Sequence, residues 1–145
     1  MKTKEKKNWI DCNGTRDFRN WFNKQFKNKL LECHEEYVSI DYRENDSLED
    51  ISKKMIDALN VLKTCDEILV LCDLIGGVPF KTAVKISYSY QNLEVIGGVN
   101  LGMLIEINLT RTFVKNVEET SGSSIEIGKE QIARFHLFME KKLYK

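Results

Sequence analysis

A short apolar run near the middle of the chain, Glu67–Cys72 (EILVLC), most restricts what this sequence can fold into. The run is too short for a buried helix, and turn residues follow it at once, so it predicts a strand buried on both faces. Strands of this kind belong to parallel sheets that helices cover on both sides. The run therefore predicts an α/β fold.

Strand and helix patterns alternate around this run. Tyr37–Asp41 (YVSID) has the alternation and the β-rich composition of a strand, and Ser47 with Asp50 forms a capping box that begins a helix. Apolar residues at helical spacing define one face of that helix: Leu48, Ile51, Met55, Leu59 and Leu62. After the central run, Pro79 suits the first turn of a second helix, which residues 82–90 continue.

The last third of the chain predicts further elements. Residues 93–96 form a short strand, and a helix runs from about Asn100 to about Arg111. Residues 113–117 predict another strand, and residues 128–143 a closing helix. This alternation predicts a single domain with a central, mostly parallel sheet, right-handed crossovers and flanking helices. A chain of 145 residues is long enough to bury one sizeable core.

Composition and charge exclude several classes of function. Lys and Arg total 22, as do Asp and Glu, so no overall charge directs the chain to nucleic acid or to an anionic membrane. The charged N-terminal residues are not a signal peptide, and no apolar run approaches the ~20 residues of a membrane span. The four cysteines form no C-x-x-C pair and no metal-like spacing with the two histidines. We expect a cytoplasmic protein without a metal or a cofactor.

Asp73 directly follows the apolar run. In an open parallel sheet the functional crevice lies beyond the carboxyl ends of the strands, which is where this residue falls. A carboxylate there can bind a metal, or it can orient an imidazole by fixing its tautomer and stabilising its charged form. The alternative is an aspartate that caps the helix after the strand.

Two glycine pairs, Gly76 with Gly77 and Gly97 with Gly98, follow neighbouring strands, and each leads into a helix. Backbone N–H groups exposed by such turns, with a helix N-terminus behind them, can bind an anion. The alternative is ordinary turn chemistry, because glycine readily adopts positive φ where a chain reverses. Two such pairs at adjacent strand ends indicate a site for a group the size of a phosphate.

Two long segments carry a family resemblance: ILVLCDLIGGVPFKTAV and, further along, LEVIGGVNLGMLIEI. In order and spacing they resemble the enzyme IIA component of the mannose-family sugar phosphotransferase system (PTS). SIEIGKEQI resembles the start of that family's closing helix, and the resemblance covers about residues 37–132.

The resemblance implies a phosphoryl carrier. In this family a histidine after the first strand accepts phosphate from the phosphocarrier protein HPr and passes it to a IIB component. IIB then phosphorylates the sugar as the membrane subunits IIC and IID import it. Asp73 matches the aspartate that hydrogen-bonds this histidine. The loops expected to contact phosphate or partners contain these residues: Leu74, Gly76, Gly77, Pro79, Phe80, Gly97, Gly98, Asn100 and Leu101.

The resemblance also implies a homodimer with a swapped C-terminal strand, which we expect near residues 113–117. It implies no cofactor and no metal. Mannose, fructose, sorbose, amino sugars and gluconate are all compatible with it, because specificity in this family lies mainly in IIB and in the membrane subunits.

The sequence departs from the family where the histidine is expected. Aligning Phe18 with the family's phenylalanine puts Thr15 at the histidine position, and neither His34 nor His136 fits the motif. A threonine hydroxyl lacks the nucleophilic nitrogen and forms a much less labile phosphoester. This chain should therefore not carry phosphate by the usual route.

Residues 8–33 are atypical, and residues 8–29 show neither strand alternation nor a helical stripe. Read one base later, synonymous codons for residues 7–26 spell KIGLIATGHGIFATGLTSSL, a family-like first strand and His-Gly turn with a histidine in place of Thr15. Trp9 and Trp21 must each become glycine, and both fall where the family-like string has glycine. We hypothesise a frameshifted segment within a single IIA domain, 1–145. It would start in a possible A-rich run at residues 6–8 and end before about Glu36.

Other interpretations compete with this one. A genuine relative without the histidine would bind partners without carrying phosphate. A receiver-like phospho-aspartate domain would need an acidic cluster that Asp11 alone does not provide. Nucleic-acid binding by the basic and aromatic residues of this segment lacks any supporting apolar periodicity. If the segment is real protein, Asp11 and Arg16 fall where a buried strand is expected, so the first strand and helix should be poorly packed or rearranged.

Overall fold

The computed structural model describes residues 7–13, 37–110, 113–114 and 116–135, the first of these ranges by its backbone. The described strands are β1 (Lys7–Asn13), β2 (Tyr37–Asp41), β3 (Glu67–Cys72) and β4 (Leu93–Gly97). The described helices are α1 (Leu48–Val61), α2 (Val78–Ser87), α3 (Leu101–Thr110) and α4 (Val117–Glu130). The predicted α/β class is confirmed.

The described strands form one sheet in the order β2-β1-β3-β4, and every neighbouring pair is parallel. β1 therefore lies inside the sheet, with Cys12 opposite Ile40 on one side and Cys72 on the other. Cys72 in turn lies opposite Gly97. The carboxyl ends of β1, β3 and β4 consequently meet at one edge of the sheet, as the prediction of a parallel sheet requires.

Alternate side chains of β3 enter two apolar clusters, one on each face of the sheet. The first cluster joins β3 to α1 and α2: Ile68, Val70, Cys72, Ile51, Met55 and Ala83. The second cluster joins β3 to α3 and α4: Leu69, Leu71, Met103, Ile107 and Val117. From Ile68 to Cys72 no side chain is more than 8% exposed, which confirms a strand buried on both faces.

The capping box at the start of α1 is present as predicted. The Asp50 backbone N–H donates to Ser47 Oγ at 3.1 Å, and the Ser47 N–H donates to Asp50 Oδ2 at 2.9 Å. The predicted apolar face is buried from Ile51 to Leu62, but Leu48 is 65% exposed. Leu48 is the first helical residue, one turn before Ile51, and the packing of α1 on the sheet begins only there.

The helix boundaries after β3 differ slightly from those predicted. α2 ends at Ser87 rather than at Tyr90. The N–H groups of Ser89 and Tyr90 donate to Ile86 and Ser87 carbonyls three residues back, so the chain leaves the helix in a tight turn. Tyr88 is 86% exposed, and no apolar contact extends the helix further. The predicted strand at residues 93–96 and the helix at about 100–111 are confirmed as β4 and α3.

The predicted strand at residues 113–117, proposed as the swapped strand, is wrong. The N–H groups of Phe113 and Val114 both donate to the Thr110 carbonyl, at 2.8 and 3.1 Å, so they complete the end of α3. Val117 is the first residue of α4, and its side chain is buried in the core with 7% exposed. Val117 therefore contributes to helix packing, whereas Phe113 is 86% exposed and belongs to no strand.

The predicted closing helix at residues 128–143 is also wrong in its start. α4 begins at Val117 and ends at Glu130, residues 132–135 are not helical, and residues 136–143 lie outside the described part. The polar stretch before Gly128 is nevertheless helical, and two of its hydroxyls are satisfied by carbonyls of the preceding turn. Ser121 Oγ donates to the Val117 carbonyl at 2.8 Å, and Ser124 Oγ to the Ser121 carbonyl at 3.0 Å.

The sequence pattern did not predict β1, yet Lys7–Asn13 is a strand paired on both sides. Pairing with two neighbours outweighs the weak strand pattern of these residues. The expected rearrangement of the first strand is therefore contradicted for its backbone. The expected fate of the following helix, together with Thr15, Arg16, His34 and His136, lies outside the described residues.

Candidate functional site

Asp73 is the first residue beyond β3, at the edge of the sheet where β1 and β4 also end. Its side chain is half-buried. It is not the N-cap residue of α2, which is Gly77. Asp73 therefore lies at the edge of the sheet where the sequence predicts a crevice.

The loop after Asp73 is a tight turn that leads directly into α2. The Gly77 N–H donates to the Leu74 carbonyl at 3.2 Å, and Gly76 has φ +76°, a value that favours glycine. Leu74 and Ile75 at the tip are 65% and 67% exposed. Pro79 lies in the first turn of α2, where its missing N–H costs nothing.

The positive end of the α2 dipole therefore points into this loop without a side-chain cap. Backbone N–H groups at such a helix start attract anions. Asp73 and the α2 N-terminus together place a hydrogen-bond acceptor and an anion-favouring helix end beside each other in the chain. This pairing suits a site at which an imidazole carries a phosphoryl group.

The loop after β3 packs closely against Gly97. A Cβ at this position would lie 2.8 Å from Ile75 Cγ1 and 2.8 Å from Phe80 Cδ2. Those side chains come from the turn after Asp73 and from the first turn of α2. The missing side chain of Gly97 therefore allows both to pack on β4, and this contact connects the two glycine turns that the sequence singled out.

The second glycine turn is joined to the end of β3 by its backbone. The Val99 N–H donates to the Cys72 carbonyl at 3.2 Å, and Gly98 has φ +75°. Both glycine pairs thus contain one residue in the left-handed region, as turn chemistry requires. The two turns lie at the same edge of the sheet, as predicted.

Asn100 has a scaffolding contact that sequence reasoning missed. Its Oδ1 accepts from the Met103 N–H at 3.1 Å and caps α3, while its Nδ2 donates to the Gly128 carbonyl at 2.9 Å. A Cβ on Gly128 would lie 2.5 Å from Met103 Cγ, so α3 and α4 approach closely here. An asparagine placed just before a helix signals the cap, but nothing in the sequence signals the bond to α4.

A charged cluster near the end of β2 was not predicted either. Lys54 Nζ donates to the Asp41 carbonyl at 3.0 Å and to the Asp46 carboxylate, which connects α1 to the loop before it. The Lys54 hydrogen bond, followed by that of the Arg43 N–H, lowers the pKa of the Asp46 carboxyl below its ordinary value. Within the described residues no group of His, Cys, Asp and Glu is arranged to hold a metal ion.

Comparison with known proteins places this geometry in a family. Residues 23–124 match the family model described as PTS system fructose IIA component. The chain belongs to this family. The match confirms the predicted resemblance, and IIA components are phosphotransferase-type proteins. The matched residues include Asp73 and both glycine turns but begin beyond Thr15.

Relatives of known function carry PTS names. The chain is 32% identical over 103 residues to the PTS system mannose-specific EIIAB component of Escherichia coli K12, which covers 71% of this chain and 32% of the relative. The chain thus spans about a third of the length of that relative. It is 22% identical over 103 residues to the PTS system fructose-specific EIIA component of Bacillus subtilis, covering 67% of this chain and 70% of the relative.

Solved IIA structures share the fold. The phosphotransferase system component EIIA from Streptococcus agalactiae is 28% identical with a TM-score of 0.72, covering 90% of this chain and 98% of that one. The mannose/sorbose-specific IIA subunit from Enterococcus faecalis is 24% identical with a TM-score of 0.77, covering 91% and 96%. Among the described residues, no helix has the length and apolarity to cross a membrane.

Proposed function

We propose that this protein is the phosphoryl-carrying IIA component of a PEP-dependent sugar phosphotransferase system. It would accept phosphate from HPr on a histidine and pass it to IIB for sugar uptake. The observation that carries this proposal is the half-buried carboxylate of Asp73 at the shared edge of β1, β3 and β4. It lies in a chain that belongs to the IIA family.

The chemistry proposed for this edge is a transfer between imidazoles. The carboxylate of Asp73 accepts the N–H of one ring nitrogen, which fixes the tautomer and leaves the other nitrogen as the nucleophile. That nitrogen forms a bond to phosphorus while the bond from phosphorus to the donor histidine of HPr breaks. The carboxylate also stabilises the positive charge on the phosphorylated ring, and the α2 N-terminus favours the transferred anion.

The remaining assignments follow from this proposal. HPr and a IIB component are the direct partners, and membrane subunits IIC and IID take part indirectly. The exposed tip at Leu74 and Ile75 suits contact with a partner. Phe80, Gly97, Gly98 and Leu101 belong to the loops that we propose to contact phosphate or partners. We further propose a cytoplasmic homodimer, and we propose no binding of nucleic acid.

Phosphoryl transfer from labelled PEP tests this proposal. Enzyme I, HPr and the chain carrying Thr15→His are incubated together, and acid-labile label on the chain is measured. We expect label on this variant, and at least tenfold less label after the added change Asp73→Ala. A variant that is folded by circular dichroism but never labelled contradicts the proposal.

The absence of a histidine at Thr15 favours a second candidate, a regulatory relative that binds partners without carrying phosphate. For that function the unaltered chain should bind HPr or IIB with similar affinity whether or not the partner is phosphorylated. Calorimetric titration of both forms separates the candidates. A carrier site should discriminate between the two forms of HPr, because one of them bears the group to be transferred.

A further inference from the structure

We infer that β1 and the residues after it are read one base out of frame in this sequence, so that the functional protein has an apolar β1 followed by a histidine in place of Thr15. The inference rests on the proposed function and names the residue that performs it.

β1 occupies the most demanding position among the described strands, because it pairs with β2 and β3 and so has no free edge. In register, the Cα of Asp11 lies between those of Ser39 and Leu71, and Asn8 lies opposite Ile68. Leu71 is 2% exposed and Ile68 8%. Interior strands of parallel sheets are near-continuous apolar runs, and the sequence KNWIDCN is not such a run.

The shifted reading supplies the apolar strand that this position calls for. It replaces KNWIDCN over Lys7–Asn13 with KIGLIAT. Isoleucine, leucine, isoleucine and alanine then stand in place of Asn8, Ile10, Asp11 and Cys12. The strand bounds and the register come from the structure, and the replacement string is one that synonymous codons allow.

Two codon pairs leave the shifted reading no freedom. Tryptophan is encoded only by TGG, and isoleucine codons begin with A, so Trp9 followed by Ile10 must become GGA, a glycine. Trp21 followed by Phe22 must become GGT, again a glycine. Thr15 followed by Arg16 can be written ACA-CGN, which becomes CAC, a histidine. Fixed glycines fall on both sides of this histidine.

The extent of the family match is consistent with this reading. The match begins at residue 23 and not at the first strand, although β1 is part of the same sheet as the matched strands. The match leaves out β1 and Thr15, although it includes residues 23–33 of the segment assigned to the shift.

The inferred histidine is close in the chain to the end of β1. It comes two residues after Asn13, the last residue of that strand. Cys12 pairs with Cys72, and Asp73 follows Cys72 directly. The end of β1 and the backbone of Asp73 therefore lie at the same edge of the sheet.

Tryptic mass spectrometry of the protein isolated from the cells that carry the gene tests the inference. Trypsin cuts this sequence after Lys7 and after Arg16 and releases the peptide NWIDCNGTR. The shifted reading has no Lys or Arg between those points and releases one long peptide that contains IGLIATGHGIF. We expect the long peptide, and detection of NWIDCNGTR overturns the inference.

Sequencing of the source DNA gives the same decision without expression. We expect one base fewer at the codons of residues 6–8 and a compensating change before Glu36, whereas an unbroken frame overturns the inference. The two readings are then expressed side by side and incubated with enzyme I, HPr and labelled PEP. Label on the shifted reading alone supports both proposals. If the shifted peptide is found and its protein accepts no label, the frame inference stands and the proposed function fails.

Discussion

β1 and β3 are neighbouring interior strands of one parallel sheet, but their sequences suit that position very differently. β3 reads EILVLC, and from Ile68 to Cys72 its side chains are at most 8% exposed. β1 reads KNWIDCN and pairs with β3 over its length. Backbone pairing alone can therefore place a strand in a sheet, whereas the stability of the sheet depends on the side chains that the strand carries. β1 is therefore the place where the fold should respond most to substitution.

The largest effect should come from making β3 resemble β1. Leu71→Asp puts a carboxylate in a 2% exposed position of an interior strand, where the charge would be buried in an apolar cluster. We expect the free energy of unfolding in urea to fall by at least about 4 kcal/mol. Leu71→Ile is the control and should lose less than about 1.5 kcal/mol. Equal losses would show that this position responds to any change.

The reverse change should make β1 resemble β3. Asp11→Ile removes a charge from an interior register position opposite Leu71, and we expect the free energy of unfolding to rise by about 1–3 kcal/mol. Asp11→Asn keeps the shape and polarity without the charge, so it should gain less. A loss of stability in Asp11→Ile would mean that the carboxylate has a favourable partner in the folded protein.

A smaller effect should come from a substitution at Gly97, against which the loop after β3 packs. Gly97→Ala places a Cβ 2.8 Å from both Ile75 and Phe80, which support the loop after β3. We expect a loss of about 1–3 kcal/mol in thermal or urea unfolding. Gly122→Ala is the matched control, because no atom lies within 4 Å of its added Cβ, and it should gain about 0.5–1 kcal/mol. A neutral Gly97→Ala would show that the loop does not depend on this contact.

The smallest effect concerns the end of β2, at the edge of the described sheet. There Lys54 donates to the Asp41 carbonyl, and its hydrogen bond to Asp46 lowers the pKa of that carboxyl. A lowered folded pKa means that this contribution to stability is present above the unfolded pKa of about 3.9 and is lost as pH falls through the folded value. Lys54→Gln should therefore flatten the decline of the melting temperature below about pH 4. Lys129→Gln, which breaks an exposed pair with Glu126, serves as the control. Identical pH profiles for Lys54→Gln and the unaltered chain would contradict this assignment.

Much of the fold could be predicted because local pattern and tertiary position agree. The apolar run of β3, the Ser47 capping box and the two glycine turns each have one physical explanation, and the structure bears all three out. The position of Asp73 at the edge where β1, β3 and β4 end followed from strand polarity alone. These features depend on residues close together in the chain, which is what a sequence pattern records.

The failures have two causes, which are local hydrogen bonds that the pattern does not show and contacts between segments far apart in the chain. Residues 113–117 are apolar like a strand, but the Thr110 carbonyl accepts the Phe113 and Val114 N–H groups and so turns the chain toward α4. The polar start of α4 is helical because its hydroxyls bond within the helix while Val117 enters the core. β1 forms because it pairs with β2 on one side and β3 on the other. The packing of Ile75 and Phe80 on Gly97 likewise joins segments that the sequence keeps apart.

The Asn100 side chain also bears on how the molecule opens. Its amide holds the start of α3 with one end and the last turn of α4 with the other, through the Gly128 carbonyl. Neither helix end can unravel without releasing the other, so both should exchange their amide hydrogens with solvent at one common rate, as a single cooperative unit. Fraying at the end of α4 would then loosen the Gly98 turn beside Asp73, although a whole helix separates them along the chain.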